Sequence, residues 1–145
     1  MTQPAQYVDV LTTLTESGKA RAGLKGNFAY QRKDVAIRVD PDGEELATTL
    51  RLAKKFLSGL EGYDARAKQK VAEEMLQNYN DNWRQEHDPV LTANQFIQKL
   101  TLVGMSFLGS DSVDFSYDDA DMFAGHSLIP QSFDGETFTY VRMYG

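Results

Sequence analysis

The hydrophobic period of this chain changes twice, and that double change restricts the fold more than any other feature. Val35, Ile37 and Val39 alternate as on a half-buried strand. From about Glu44 to Arg84 the apolar residues recur at helical spacing. Leu46, Leu50, Ala53, Phe56/Leu57 and Leu60 form one stripe, and Ala67, Val71, Met75, Tyr79 and Trp83, widened by Ala72 and Leu76, form a second. The period then returns to two, through Val103, Met105 and Phe107 and again through Val113, Phe115 and Tyr117. Strands, then helices, then strands, with no βαβ alternation and no internal repeat, predict an α+β fold. Its sheet is mainly antiparallel, built from N-terminal and C-terminal strands and packed by two longer helices and one short helix. A length of 145 residues suits a single domain, 1–145, with one core and no covalent staple.

Local signals set the expected boundaries. Val8 to Leu14 is apolar and β-branched enough for a strand, and Gly23–Tyr30 with the run through Val39 forms a hairpin about Arg32-Lys33-Asp34. Asp40-Pro41-Asp42-Gly43 stops that strand, and Asp42 with Glu45 three residues on offers a cap for a first helix ending near Gly62. The second helix is expected from about Asp64 to Arg84. Met75, Tyr79 and Trp83 on it are read as packing residues. His87-Asp88-Pro89 breaks the pattern and leaves His87 in a loop. Thr92, Gln95 and the pair Leu91/Phe96 then carry a capping box and a hydrophobic staple, with Phe96, Ile97 and Leu100 on the buried side. The following hairpin should bury its odd-numbered side chains. Pro130 restricts a short strand over Gly125–Pro130 to a sheet edge or ends it, Asp134-Gly135 marks a turn, and Phe138–Tyr144 is a terminal strand inside the fold.

The net charge of −6 is concentrated in one place: Thr101–Gly145 holds seven acids against the single base Arg142, and the first hundred residues are neutral. Such a face repels phosphate backbones and steers basic partners, which argues against nucleic acid. Without cysteine the chain can form neither disulfides nor thiolate zinc sites. No leader pattern opens the chain and no apolar run approaches the roughly 18 residues that span a bilayer, so a cytoplasmic protein without membrane contact is expected.

Three carboxylates and one of the two histidines fall within Tyr117–Ser127. Asp118, Asp119, Asp121 and His126 are suitable ligand types for a divalent ion, but their order is not that of an EF-hand. Asp121 could orient His126 as a general base. Ser127, the nucleophile such a base would need, points to the opposite face of a strand from its neighbour His126. The same residues also describe an acidic turn whose carboxylates cap backbone and whose histidine packs at the sheet. For a binding surface, the acids would steer and aromatics such as Tyr117, Phe123, Phe133 and Tyr140 would anchor, with Tyr117 and Tyr140 better suited to the core.

The segment Tyr117-Asp118-Asp119-Ala120-Asp121-Met122-Phe123-Ala124-Gly125-His126-Ser127-Leu128-Ile129 resembles the C-terminal hallmark of a bacterial family of unknown function. Asp118, Asp119, Asp121, Phe123, Gly125, His126, Ser127 and the final Gly145 match its pattern, and Ala124 stands where that family usually carries Trp. The likeness extends over Ile37-Arg38-Val39-Asp40, Leu52-Ala53-Lys54-Lys55 and the Phe96 helix. Domains similar to this one occur among small acidic proteins encoded beside bacterial toxins, so the resemblance implies an immunity protein. The expected partner is a basic toxin domain, occluded by contact with Asp118, Asp119, Asp121, Phe123 and His126 and without a cofactor or metal. The alternative is a metal-assisted hydrolase using the Asp118–His126 segment, and a homodimer through the last strand is a further expectation.

Overall fold

The computed structural model describes residues 7–18 and 22–145. Its centre is a seven-stranded sheet in which strand order in space follows order in the chain: β1 (Thr15–Glu16), β2 (Leu24–Tyr30), β3 (Lys33–Asp40), β4 (Thr101–Leu108), β5 (Ser112–Asp118), β6 (Ser127–Ser132) and β7 (Phe138–Tyr144). Every neighbouring pair is antiparallel except β3 and β4, which run parallel in the register Ile37↔Met105 and Val39↔Phe107. The α+β architecture is as the period predicts. The sequence order of elements hides one crossover, because a parallel pair needs a long connection. Helices α1 (Leu46–Ser58), α2 (Leu60–Asn78) and α3 (Ala93–Gln98) all lie within that connection.

One face of the sheet meets the helices. Val35, Ile37, Val39, Met105, Phe107, Val113, Phe115, Tyr117 and Leu128 are buried there against Ala53, Phe56, Leu57, Leu60, Ala67 and Val71. Phe56 lies at the centre, stacked on Tyr63 at 4.0 Å and edge-on to Phe107, Phe115 and Phe138.

Several boundaries differ from the sequence expectation, each for a local reason. Val8–Leu14 is not a strand: Asp9–Thr12 is a 3₁₀ turn whose end is tied by Thr12 and Thr13 hydroxyls donating to the carbonyls of Asp9 and Val10. Asp42 does not cap α1. It sits at φ 49° in the preceding turn, its N–H donating to the Asp40 carboxylate, and α1 begins at Leu46 with no side-chain cap. The break between the long helices falls at Gly59, and Gly62 lies inside α2. At the far end α2 passes into a π-turn, Tyr79–Trp83. Val103 is exposed, against the odd-numbered pattern, because a register shift between Leu102 and Gly104 inserts one residue and turns Leu102 inward.

Pro130 is neither at an edge nor at a strand end, since β6 is flanked by β5 and β7. The ladder makes room for it: β5 pairs with β6 at Val113↔Ser132, Asp114↔Gln131, Tyr117↔Leu128 and Asp118↔Ser127, but Phe115 and Ser116 leave Ile129 and Pro130 unpaired. The missing N–H therefore falls in a gap of the ladder. β7 is the edge strand, with Phe138 buried and Tyr140 and Tyr144 exposed.

The capping box forms as read: Thr92 Oγ1 accepts from Gln95 N at 3.2 Å, and Gln95 Oε1 accepts from Thr92 N at 2.9 Å. Thr92→Ala should cost about 1 kcal/mol of stability, measurable as an earlier urea midpoint at unchanged slope.

Candidate functional site

The acidic stretch between β5 and β6 is a built loop. Asp119 is fully buried and serves as its anchor. Its Oδ1 accepts from Asp121 N at 2.9 Å, and its Oδ2 accepts from Phe123 N at 2.8 Å and Gly125 N at 3.1 Å. Asp118 makes a smaller turn of the same kind by accepting from Ala120 N at 3.2 Å. These bonds hold Ala120, Asp121 and Ala124 at positive φ (51°, 63° and 59°), a region that costs a residue with a Cβ about 1 kcal/mol each. Phe123 plugs the loop into the core between Tyr79, Trp83 and Phe96, with ring centroids at 5.8, 5.4 and 6.3 Å.

The expected contact residues therefore divide. Asp119 and Phe123 face inward, the first because it satisfies three backbone N–H groups and the second because it fills the aromatic core, so neither offers a surface to a partner. Asp118 and Asp121 are exposed and His126 is half-buried. His126 Nδ1 bonds the Phe123 carbonyl, and its ring lies edge-on to Trp83 at 5.9 Å. A Cβ on Gly145 would clash with this ring, so the His126 ring packs closely against a residue that has no side chain. Among the described residues no hydrogen bond joins His126 to Asp121 or Ser127. Nor do three His, Asp or Glu side chains converge where a metal ion could be held.

Opposite the loop stands a wall formed by the π-turn and the segment after it. Asn80 clamps that segment by donating to the Leu91 carbonyl and accepting from Leu91 N, both at 3.0 Å, and Arg84 Nη1 donates to the Asp88 carbonyl at 2.7 Å. Two adjoining hollows of about 290 and 410 Å³ lie between loop and wall, sharing Tyr79, Gln85, Asp88, Asp121 and Met122. Ala124 lines one of them and Lys99 the other. Burial first, and the Asp88 carboxylate second, push the Tyr79 hydroxyl above its ordinary value, with Arg84 opposing. The groove thus presents two exposed carboxylates, Asp88 and Asp121, on rigid supports. Asp88 was legible only as a chain break.

A second polar cluster escapes the sequence reading. Asp64, almost wholly buried, accepts from the hydroxyls of Tyr30 at 2.8 Å and Tyr117 at 2.5 Å, and Lys68 Nζ lies 3.4 Å from the same carboxylate. Burial first, then the Asp64 charge, hold both phenols well above their ordinary range. The signal was present in the helix period: Asp64 occupies the stripe of Leu60, Ala67 and Val71. Phenols so disfavoured as phenolates are poor proton donors and stay protonated at neutral pH, and the cluster ties α2 to β2 and β5.

Among the described residues no helix is long and apolar enough to cross a membrane. No curated protein and no solved structure matches the chain. Residues 10–139, which span the loop, the groove and six complete strands, match the family described as "uncharacterized protein conserved in bacteria (DUF2262)", and the chain belongs to that bacterial family.

Proposed function

We propose that this protein is a cytoplasmic binding module that neutralises a basic bacterial toxin domain by contact. The loop Asp118–Gly125 and the groove beside it are the contact surface. The observation that carries this reading is the Asp119 anchor: a carboxylate spent on three backbone N–H groups fixes a strained loop so that Asp118 and Asp121 project from it. A surface fixed in advance loses little entropy on association, and its carboxylates raise the encounter rate with a cationic cleft. Inhibition then needs no chemistry from this chain. The acids occupy the place of the toxin's anionic substrate, and Trp83 and His126 supply contact area beside the largely polar groove.

The test is capture of partners from the native bacterium by the tagged protein, followed by association kinetics of the recovered partner at two salt concentrations. The double variant Asp88→Lys/Asp121→Lys changes only exposed residues and should melt close to the parent. Its association rate with a basic partner should fall about tenfold or more, as should the protection of cells expressing that partner. Capture and protection indifferent to both charge reversal and salt would refute the reading.

A further inference from the structure

The two edges of the sheet are unlike. β1 is two residues long and carries Glu16, which makes it a poor template for another strand. β7 is seven residues long, carries a single charge, Arg142, and a bulge at Thr139, and among the described residues nothing pairs with its outer side. Val141 and Met143 on its helix-facing side are only half-buried, and Tyr140 and Tyr144 on the other are among the most exposed large side chains of the protein.

Pro130 fixes the phase of this edge. In an antiparallel ladder alternate pairs exchange both hydrogen bonds, and proline cannot serve in such a pair. The pair Pro130↔Val141 is therefore a non-bonded one, and Ile129↔Arg142 and Gln131↔Tyr140 carry the bonds between β6 and β7. The gap in the β5–β6 ladder at Pro130 agrees, since the N–H of residue 130 would have pointed there. It follows that the backbone N–H and C=O of Val141 and Met143 point out from the free edge.

We infer that β7 pairs with β7 of a second copy of this chain, antiparallel about a twofold axis at Val141, to give a continuous fourteen-stranded sheet. Val141 is the midpoint of Phe138–Tyr144, so this register overlaps the two strands over their full length, with the bulge at Thr139 near each end of the seam. It also sets Tyr140 opposite Arg142 of the second copy, twice. The Arg142 guanidinium already lies 5.5 Å from the ring of its own Tyr144 and would then sit between two aromatic faces. A shift of the axis by one residue toward the C-terminus would set Arg142 against Arg142, which like charge disfavours. On the helix side the exposed flanks of Val141 and Met143 are covered by their counterparts.

Sedimentation equilibrium from micromolar to millimolar protein tests the pairing. A reversible dimer is expected, and Val141→Lys, which turns a charge into the new seam, should raise its dissociation constant about a hundredfold. The parent has no cysteine, so single-cysteine variants report the register. Oxidised mixtures of Tyr140→Cys and Arg142→Cys should give mixed disulfide dimers in preference to either self-linked dimer. A monomer throughout, a dimer indifferent to Val141→Lys, or cross-links that favour Arg142→Cys with itself would each overturn the inference.

Discussion

Asp119→Ala lowers stability by about 3–5 kcal/mol and releases the loop between β5 and β6. A hydrogen bond to a charged group contributes about 1.5–3 kcal/mol, and this carboxylate accepts three from backbone donors. Water can reach part of the loop, because Ala120, Asp121, Ala124 and Gly125 are exposed, and this keeps the loss below the full sum. The three positive-φ residues then have nothing to hold them, and Phe123 loses the frame that seats it among Tyr79, Trp83 and Phe96. Asp119→Asn should cost less, about 1–2 kcal/mol, since one oxygen survives and an NH₂ group meets a backbone N–H in place of the other. Urea unfolding gives the energies, and hydrogen exchange at the amides of Phe123 and Gly125 gives the local effect. A variant within about 1 kcal/mol of the parent, with those amides still protected, would show that the loop is held by its aromatic plug and not by the carboxylate.

Asp64→Ala should be as damaging, at about 3–5 kcal/mol, for a different reason: it leaves two buried hydroxyls and the Lys68 ammonium without their shared acceptor. Tyr117→Phe removes one donor and leaves Asp64 bonded to Tyr30 and near Lys68, so about 1–3 kcal/mol is expected. The cluster should also contribute an alkaline decline in stability. Both phenols have folded-state values above the ordinary 10.0, so the unfolded chain loses these protons first as pH rises. The stability they contribute is complete below pH 10 and is lost progressively above it. Tyr30→Phe/Tyr117→Phe should flatten this alkaline decline in melting temperature, even though the variant starts from a lower value at neutral pH. An unchanged decline would assign it to other groups.

The strands and helices were legible in the sequence because each buries one face, and a buried face imposes its period on the residues. Ile37, Met105 and Phe115 could be placed on sight for that reason. The parallel register of β3 on β4 was not, since period two is the same for either direction of pairing. The alternation predicts a buried Val103, but an inserted residue at the bulge resets it, and the one mark of that bulge in the sequence is Gly104 inside the strand. At the acidic loop the residue types were plain but their directions were not. Asp118, Asp119 and Asp121 look alike in a sequence, and only the fold distinguishes the one that turns inward to three N–H groups from the two that face out. Phe123 reads as an anchor toward a partner, and it is an anchor toward the core. Asp64 reads in the sequence as a helix start, because a carboxylate on an apolar stripe has meaning only once two tyrosines from distant strands arrive above it.

The parallel seam between β3 and β4 also gives the protein a history during synthesis. The hairpin of β2 and β3 is complete when residue 40 leaves the ribosome, but its partner strand begins at Thr101. At bacterial elongation rates residues 41–100 take on the order of several seconds to appear, against the microseconds in which a hairpin closes. For that interval β3 presents Val35, Ile37 and Val39 and an unpaired edge to whatever lies near the tunnel exit. The nascent chain is most exposed to mispairing with its neighbours on a polysome at this stage, and α1, the first element to emerge after β3, is the earliest native cover for that surface.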